Sequence, residues 1–157
     1  MTAPKTRYRV EDLLSDYAMI IDDDRLEEWP GLFVEECHYR VCTAADYEEG
    51  LPLGMIWADS RAMLVDRIAS LREANIYEAH RYRHVTGACR IEEFDGAIAR
   101  VRSSFAVIRI MHDGDTDLFA SGVYRDRIDL SGAPPLFQER IVVLDSQKID
   151  TLLAIPL

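Results

Sequence analysis

The residues with the greatest chemical potential lie in "YEAHRYRHVTGACRIEE" (77–93), where His80 and His84 stand four apart with Cys89 and two carboxylates close behind. On a helix this spacing brings two imidazoles side by side, as a shared zinc requires. On a strand it leaves them on one face about 13 Å apart, at roughly 3.3 Å per residue, which is too far for one ion. The β-branched and aromatic residues of "RYRHVTGACRIEE" lead into a hairpin turn and read as a strand, and the sequence holds no HExxH motif. The histidines are thus expected as cationic strand residues available to a partner's carboxylates.

A second candidate is Asp126. In "TDLFASGVYRDRIDL" the residues Leu118, Ala120, Gly122, Tyr124, Ile128 and Leu130 share an inward parity, and Asp126 falls on it. In "LFQERIVVLDS" the set Leu136, Gln138, Arg140, Val142 and Leu144 shares one face, so Arg140 can pair with Asp126 across the sheet. An inward carboxylate must be paired or hydrogen-bonded. One reading is a structural ion pair. The other is a general base whose pKa is raised by burial, working with Tyr124 or His84 in an isomerase or dehydratase, or a pocket that only binds a small molecule. The neighbouring arginine would depress that pKa, which favours the structural pair.

Nucleophilic and nucleotide chemistry find no motif. Ser103, Ser104, Ser121 and Ser146 lie outside any GxSxG elbow, and neither GxxxxGK[ST] nor GxGxxG occurs. Cys37, Cys42 and Cys89 are odd in number and lack CxxC spacing, so they read as buried free thiols.

The elements that must position these residues fall into two halves. Val10, Leu13, Leu14, Tyr17 and Ile21 line one face of a first helix. A shorter helix is expected from Asp24 as cap through Leu26 and Trp29, closed by Pro30 and Gly31 near Phe33. "CHYRVCT" reads as a strand and "ADYEEGLPLG" as a loop. In "SRAMLVDRIASLRE", Asp59 or Ser60 can cap a third helix with a stripe of Met63, Leu64, Arg67, Ile68 and Leu71. From Arg81 to Ser146 the period becomes two, with Asp95-Gly96 and Asp113-Gly114 as hairpin signals, which predicts an antiparallel meander. Helices followed by a long curled sheet make an α+β cone with a cavity. No linker or repeat divides the 157 residues, so one domain is expected, with residues 1–7 as a disordered or extended arm.

Eighteen Lys and Arg against 28 Asp and Glu give a net charge of −10, which disfavours nucleic acid as a partner. No apolar run approaches the length of a signal peptide or membrane span, so a cytosolic protein with no membrane partner is expected. The final "TLLAIPL" has six apolar members, and such a tail must be covered by this chain's sheet or by another subunit. Trp29 and Trp57 suit a core or an interface.

Four stretches carry a family resemblance: "LEEWPGLFVEECHYRV", "GMIWADSRAMLVDRIASLREANIYEAHRYRH", "FASGVYRDRIDL" and "QERIVVLDSQKIDTLLAIPL". Over nearly the whole chain the sequence resembles the small (β) subunit of the Rieske non-haem iron aromatic-ring-hydroxylating dioxygenases, and within that family the terephthalate branch. The resemblance implies a cystatin-like cone of the nuclear-transport-factor type. It implies an assembly of three large and three small subunits, served by a separate reductase, that cis-dihydroxylates an aromatic carboxylate such as terephthalate with NAD(P)H and dioxygen. It places the Rieske [2Fe-2S] cluster and the mononuclear Fe(II) on the large subunit, leaving no cofactor, metal or catalytic residue on this chain. Under it, Trp57, Arg81, Arg83, His84 and the tail residues Leu152, Leu153, Ile155 and Leu157 are expected to contribute to assembly.

Overall fold

The computed structural model describes residues 3–52, 54–74, 79–148, 153 and 155–157. Its first element is helix α1 (Pro4–Asp22), which starts six residues before the apolar stripe does. Pro4 lies in the first turn, where its fixed φ suits a helix and its missing N–H is not needed. Arg7 and Arg9 then tie that turn to the Cys89 and Leu130 carbonyls. The arm expected over residues 1–7 is therefore helix from Pro4 onward. These polar residues carry no apolar period, and their anchors are distant in sequence. Val10, Leu13, Tyr17, Ile20 and Ile21 form the buried face.

Asp24 does not cap the next element. It takes a left-handed turn (φ 58°), and the segment Leu26–Leu32 is a 3-10 helix that contains Pro30. Trp29 goes to the core, edge-on to Phe33 and Tyr39. Strand β1 (Phe33–Thr43) follows, and the segment read as a loop opens instead with a short helix, α2 (Ala44–Glu48). The Thr43 hydroxyl caps it by accepting from the Asp46 amide at 3.2 Å. After β2 (Ile56–Ala58), Ser60 rather than Asp59 caps α3 (Arg61–Ala74) by accepting from the Met63 amide. Leu64, Ile68 and Leu71 are buried on α3, while Met63, expected on that stripe, faces outward and its sulfur accepts from the Asp59 amide.

The remaining strands are β3 (His80–Thr86), β4 (Arg90–Phe94), β5 (Ile98–Met111), β6 (Thr116–Asp129) and β7 (Leu136–Leu144). They form one curled sheet in the order β2-β1-β7-β6-β5-β3, with β4 also paired to β5. Both Asp-Gly signals are hairpin turns, with Gly96 at φ 101° and Gly114 at φ 95°. Every pairing is antiparallel except β1 with β7, which is parallel. This is the expected α+β cone: helices cover the inner face of a mostly antiparallel sheet, and the core lies between them.

Two bulges reset the inward parity. Val107 pairs with Ala120 but Ile108 with Leu118, so Phe119 is the extra residue, and Leu118 turns outward at 66% exposure. Arg127 pairs with Glu139 but Ile128 with Phe137, so Gln138 is extra and Phe137 is the buried residue in place of Leu136 and Gln138. Between the bulges the alternation holds. There Gly122 lets the strands close up, since a Cβ at this position would lie 1.9 Å from the Val143 carbonyl oxygen.

Candidate interaction surface and cone interior

His80, Tyr82 and His84 share the inner side of β3, and Arg81, Arg83 and Val85 the outer side. The His84 side chain is fully buried, with Nδ1 2.6 Å from Asp22 Oδ1 at the end of α1. The His84 amide donates to the other Asp22 oxygen at 2.9 Å. His84 thus clamps α1 to the sheet and offers no surface to a partner, contrary to the sequence expectation. Asp22, from the run "IIDDD", carried no sign of this role, because the contact spans 62 residues.

A Rieske cluster takes two cysteines and two histidines, and an oxygenating iron takes two histidines and a carboxylate. The residues here fit neither. Among the described residues no three His, Cys, Asp or Glu side chains converge. All three cysteines are buried, and burial pushes each thiol up, away from the thiolate a metal needs.

The structure brings Asp126 and Arg140 together on facing positions of β6 and β7. Arg140 Nε donates to one carboxylate oxygen and Nη2 to the other, both at 2.8 Å, and both side chains are buried. The guanidinium also lies against the rings of Tyr124 (3.8 Å), Tyr17 (4.0 Å) and Phe137 (4.5 Å). Burial lifts the Asp126 carboxyl above its ordinary value against the pull of Arg140. With both oxygens engaged by a fixed cation, Asp126 is poorly placed to serve as a general base. Burial also pushes the Tyr124 phenol well above its usual range, so it stays a proton donor.

The described residues of the apolar tail are covered by this chain. Leu153, Ile155 and Leu157 are buried in its own core, and the hydroxyls of Tyr17 and Tyr39 donate to the Leu157 main-chain oxygen. Arg67 donates to the Leu153 carbonyl at 3.1 Å. These residues therefore have little surface left for an interface. Leu152 lies outside the described residues.

Trp57, Arg81 and Arg83 are exposed, but on β2 and β3, at opposite edges of the sheet, so they do not form one patch. Trp57 is 40% exposed, with its indole N–H on Asp59 and the His38 ring edge-on at 4.5 Å. The Trp57 and His38 contacts hold the Asp59 carboxyl below its usual range. Exposed Met55 and Met63 lie next to this group, one just before β2 and the other against Asp59.

Sequence reading missed an arginine ladder on the sheet's outer face. Arg90 lies opposite Arg102, Arg102 opposite Arg125, and Arg100 opposite Arg127. Glu92 reaches Arg125 at 3.6 Å and Glu93 reaches Arg100 at 3.4 Å. Among the described residues Arg90, Arg102 and Arg127 have no ion pair. The signal was the shared parity of Arg100 with Arg102 and of Arg125 with Arg127, set outward by the same alternation that turns Asp126 inward.

Comparison with known proteins gives consistent matches. Residues 17–151 match the family described as the ring hydroxylating beta subunit. The chain is 50% identical over 141 residues to the terminal oxygenase component subunit beta 1 of terephthalate 1,2-dioxygenase from Comamonas sp., covering 90% of this chain and 92% of that one. It is 34% identical over 154 residues to the anthranilate 1,2-dioxygenase small subunit of Burkholderia cepacia, covering 98% and 95%. A crystal structure from Novosphingobium aromaticivorans, described as the beta subunit of an aromatic-ring-hydroxylating dioxygenase, superposes with a TM-score of 0.89 at 36% identity over 97% of both chains.

Proposed function

Because the chain belongs to the ring hydroxylating beta subunit family, we propose that it is the non-catalytic small subunit of a terminal oxygenase acting on an aromatic carboxylate of the terephthalate type. The observation that carries the substrate class is the 50% identity to the terephthalate 1,2-dioxygenase subunit across nearly the full length of both chains. The whole span 1–157 acts as one cone-fold domain. Its partner is a large subunit, three copies of each make the assembly, and a separate reductase delivers electrons from NAD(P)H. The Rieske [2Fe-2S] cluster and the mononuclear iron belong to the large subunit, where they activate dioxygen for cis-dihydroxylation.

In this reading the chain holds its partners in place. The surfaces assigned to assembly are the Trp57 group at one sheet edge, and Arg81 and Arg83 at the other. The outer arginine ladder on β4, β5 and β6 adds a third surface, suited to an acidic partner. Directly opposed like charges are unfavourable in an isolated sheet and are relieved by a partner's carboxylates. The competing reading, a free-standing isomerase or dehydratase built on Asp126, finds that carboxylate held on both oxygens.

Native mass spectrometry with iron analysis of the complex that co-purifies with the tagged chain tests the proposal. Equal numbers of this chain and a larger iron-containing chain are expected. A metal-free homo-oligomer or monomer would overturn it.

A further inference from the structure

The bulge on β6 takes an apolar residue out of the core. Where Val107 gives way to Ile108 on the partner strand, Phe119 packs against the core, stacked on Tyr82 with ring centroids 5.4 Å apart, and Leu118 turns outward. Bulges that re-aim a side chain are built features rather than defects. At 66% exposure Leu118 forfeits the burial that unbroken alternation would have given it. It stands in company: one cross-strand row on the outer face runs Arg83, Ile108, Leu118. In the next row Val85, 53% exposed, lies opposite Ala106, and on the other side Arg81 lies opposite Ile110. An apolar centre thus spans β3, β5 and β6, with two arginines along its β3 edge.

That edge opposes the chain's net charge of −10. Among the described residues Arg81 has no ion pair, and Arg83 reaches only Asp22, at 3.9 Å, a carboxylate already held by His84. Asp117, next to Leu118 on β6, lies on the other face and is matched by Arg109 at 2.9 Å. Apolar groups clustered at a surface and rimmed by polar residues mark an interaction site. A second copy in two-fold contact would lay this arginine-bearing face on itself, so the sign of the edge favours a different chain that brings carboxylates.

We propose that this patch, centred on Leu118, seats the large subunit, which meets it with apolar side chains bordered by carboxylates. The inference rests on the small-subunit reading and adds an apolar centre to the Arg81 and Arg83 edge named there. Leu118, Ile108 and Val85 form the part of the contact that loses its water, where a few side chains carry most of the binding energy. Arg81 and Arg83 guide the approach and fix the register.

The test is native mass spectrometry, over a dilution series, of the complex that co-purifies with the tagged full chain. Leu118→Glu, which puts a charge at the apolar centre, is expected to weaken retention of the large subunit at least about tenfold. Val85→Glu serves as a second variant with the same expectation. Arg83→Gln is expected to weaken retention about threefold at low salt and less at high salt. Met19→Glu, at a 58% exposed position on α1, should retain the large subunit as the unaltered chain does. Thermal unfolding of the isolated variants should match that of the unaltered chain, because these positions are exposed. If folded Leu118→Glu and Val85→Glu retain the large subunit undiminished, the docking inference falls and the subunit reading stands. If the unaltered chain carries no large subunit, both fall. A homo-oligomer of the unaltered chain that Leu118→Glu dissolves would overturn the choice of partner, by placing a second copy on the patch.

Discussion

The two faces of the sheet hold arginine in opposite states. Inside, Arg140 meets a carboxylate through two 2.8 Å hydrogen bonds and is enclosed by three aromatic rings. Outside, one residue away from Asp126 on β6, Arg125 and Arg127 lie opposite Arg102 and Arg100, with Glu92 at 3.6 Å from Arg125 and Glu93 at 3.4 Å from Arg100. Burial makes the difference: a guanidinium withdrawn from water needs its countercharge in place, while one at the surface tolerates a like-charged neighbour at small cost. The interior pair therefore serves the fold, and the exterior ladder is left available for a partner.

Breaking the interior pair should have the largest effect. Arg140→Met leaves a buried carboxylate unmatched and is expected to cost about 3–5 kcal/mol in urea unfolding of the isolated chain. Adding Asp126→Leu should recover most of that loss. The pH dependence has a definite sign. Asp126 has its folded-state pKa raised above the unfolded value of about 3.9, so its contribution is fully present below that value and is lost as pH rises through the folded one. Arg140→Met removes the opposing cation, so unfolding measured from about pH 3.5 upward should show a steeper loss than in the unaltered chain.

The tail sharpens the contrast between core and surface. Leu157→Ala is expected to destabilise the isolated chain by about 2–4 kcal/mol, as a large-to-small core change does. Were the tail an interface element, this variant would leave the isolated chain's unfolding midpoint unchanged and weaken only its association.

Outside, Arg102→Gln should shift unfolding by less than about 1 kcal/mol, toward greater stability, because it relieves two like-charge contacts. The same variant should make retention of the large subunit less sensitive to salt, read by size-exclusion chromatography across a salt gradient. The smallest effect belongs to Arg72→Met, which removes the exposed contacts to Asp24 and Glu27 and should cost about 0.5–1 kcal/mol by thermal unfolding. Glu27 carries its part of that network with its pKa lowered by Arg72, so the part is present at neutral pH and lost as pH falls through the folded value.

Several features were legible because their physics is local. The Asp-Gly turns, the buried stripes of α1 and α3, and the facing positions of Asp126 and Arg140 follow from periods of 3.6 and 2. Parity failed only at Leu118, Leu136 and Gln138, where one extra residue resets the alternation and no residue type marks it. The cationic surface role read for His84 failed because its partner, Asp22, lies on α1, 62 residues earlier.

By itself, the sequence determined the class of fold, the succession of helices and hairpins, the family, and the demand that an apolar tail be covered. Only the tertiary structure decided that β1 runs parallel to β7 and that the tail is sealed inside by Tyr17 and Tyr39. Local propensity and periodicity act over a few residues, whereas these outcomes depend on which distant segments fill the same space, and the residues that meet there carry no shared mark along the chain.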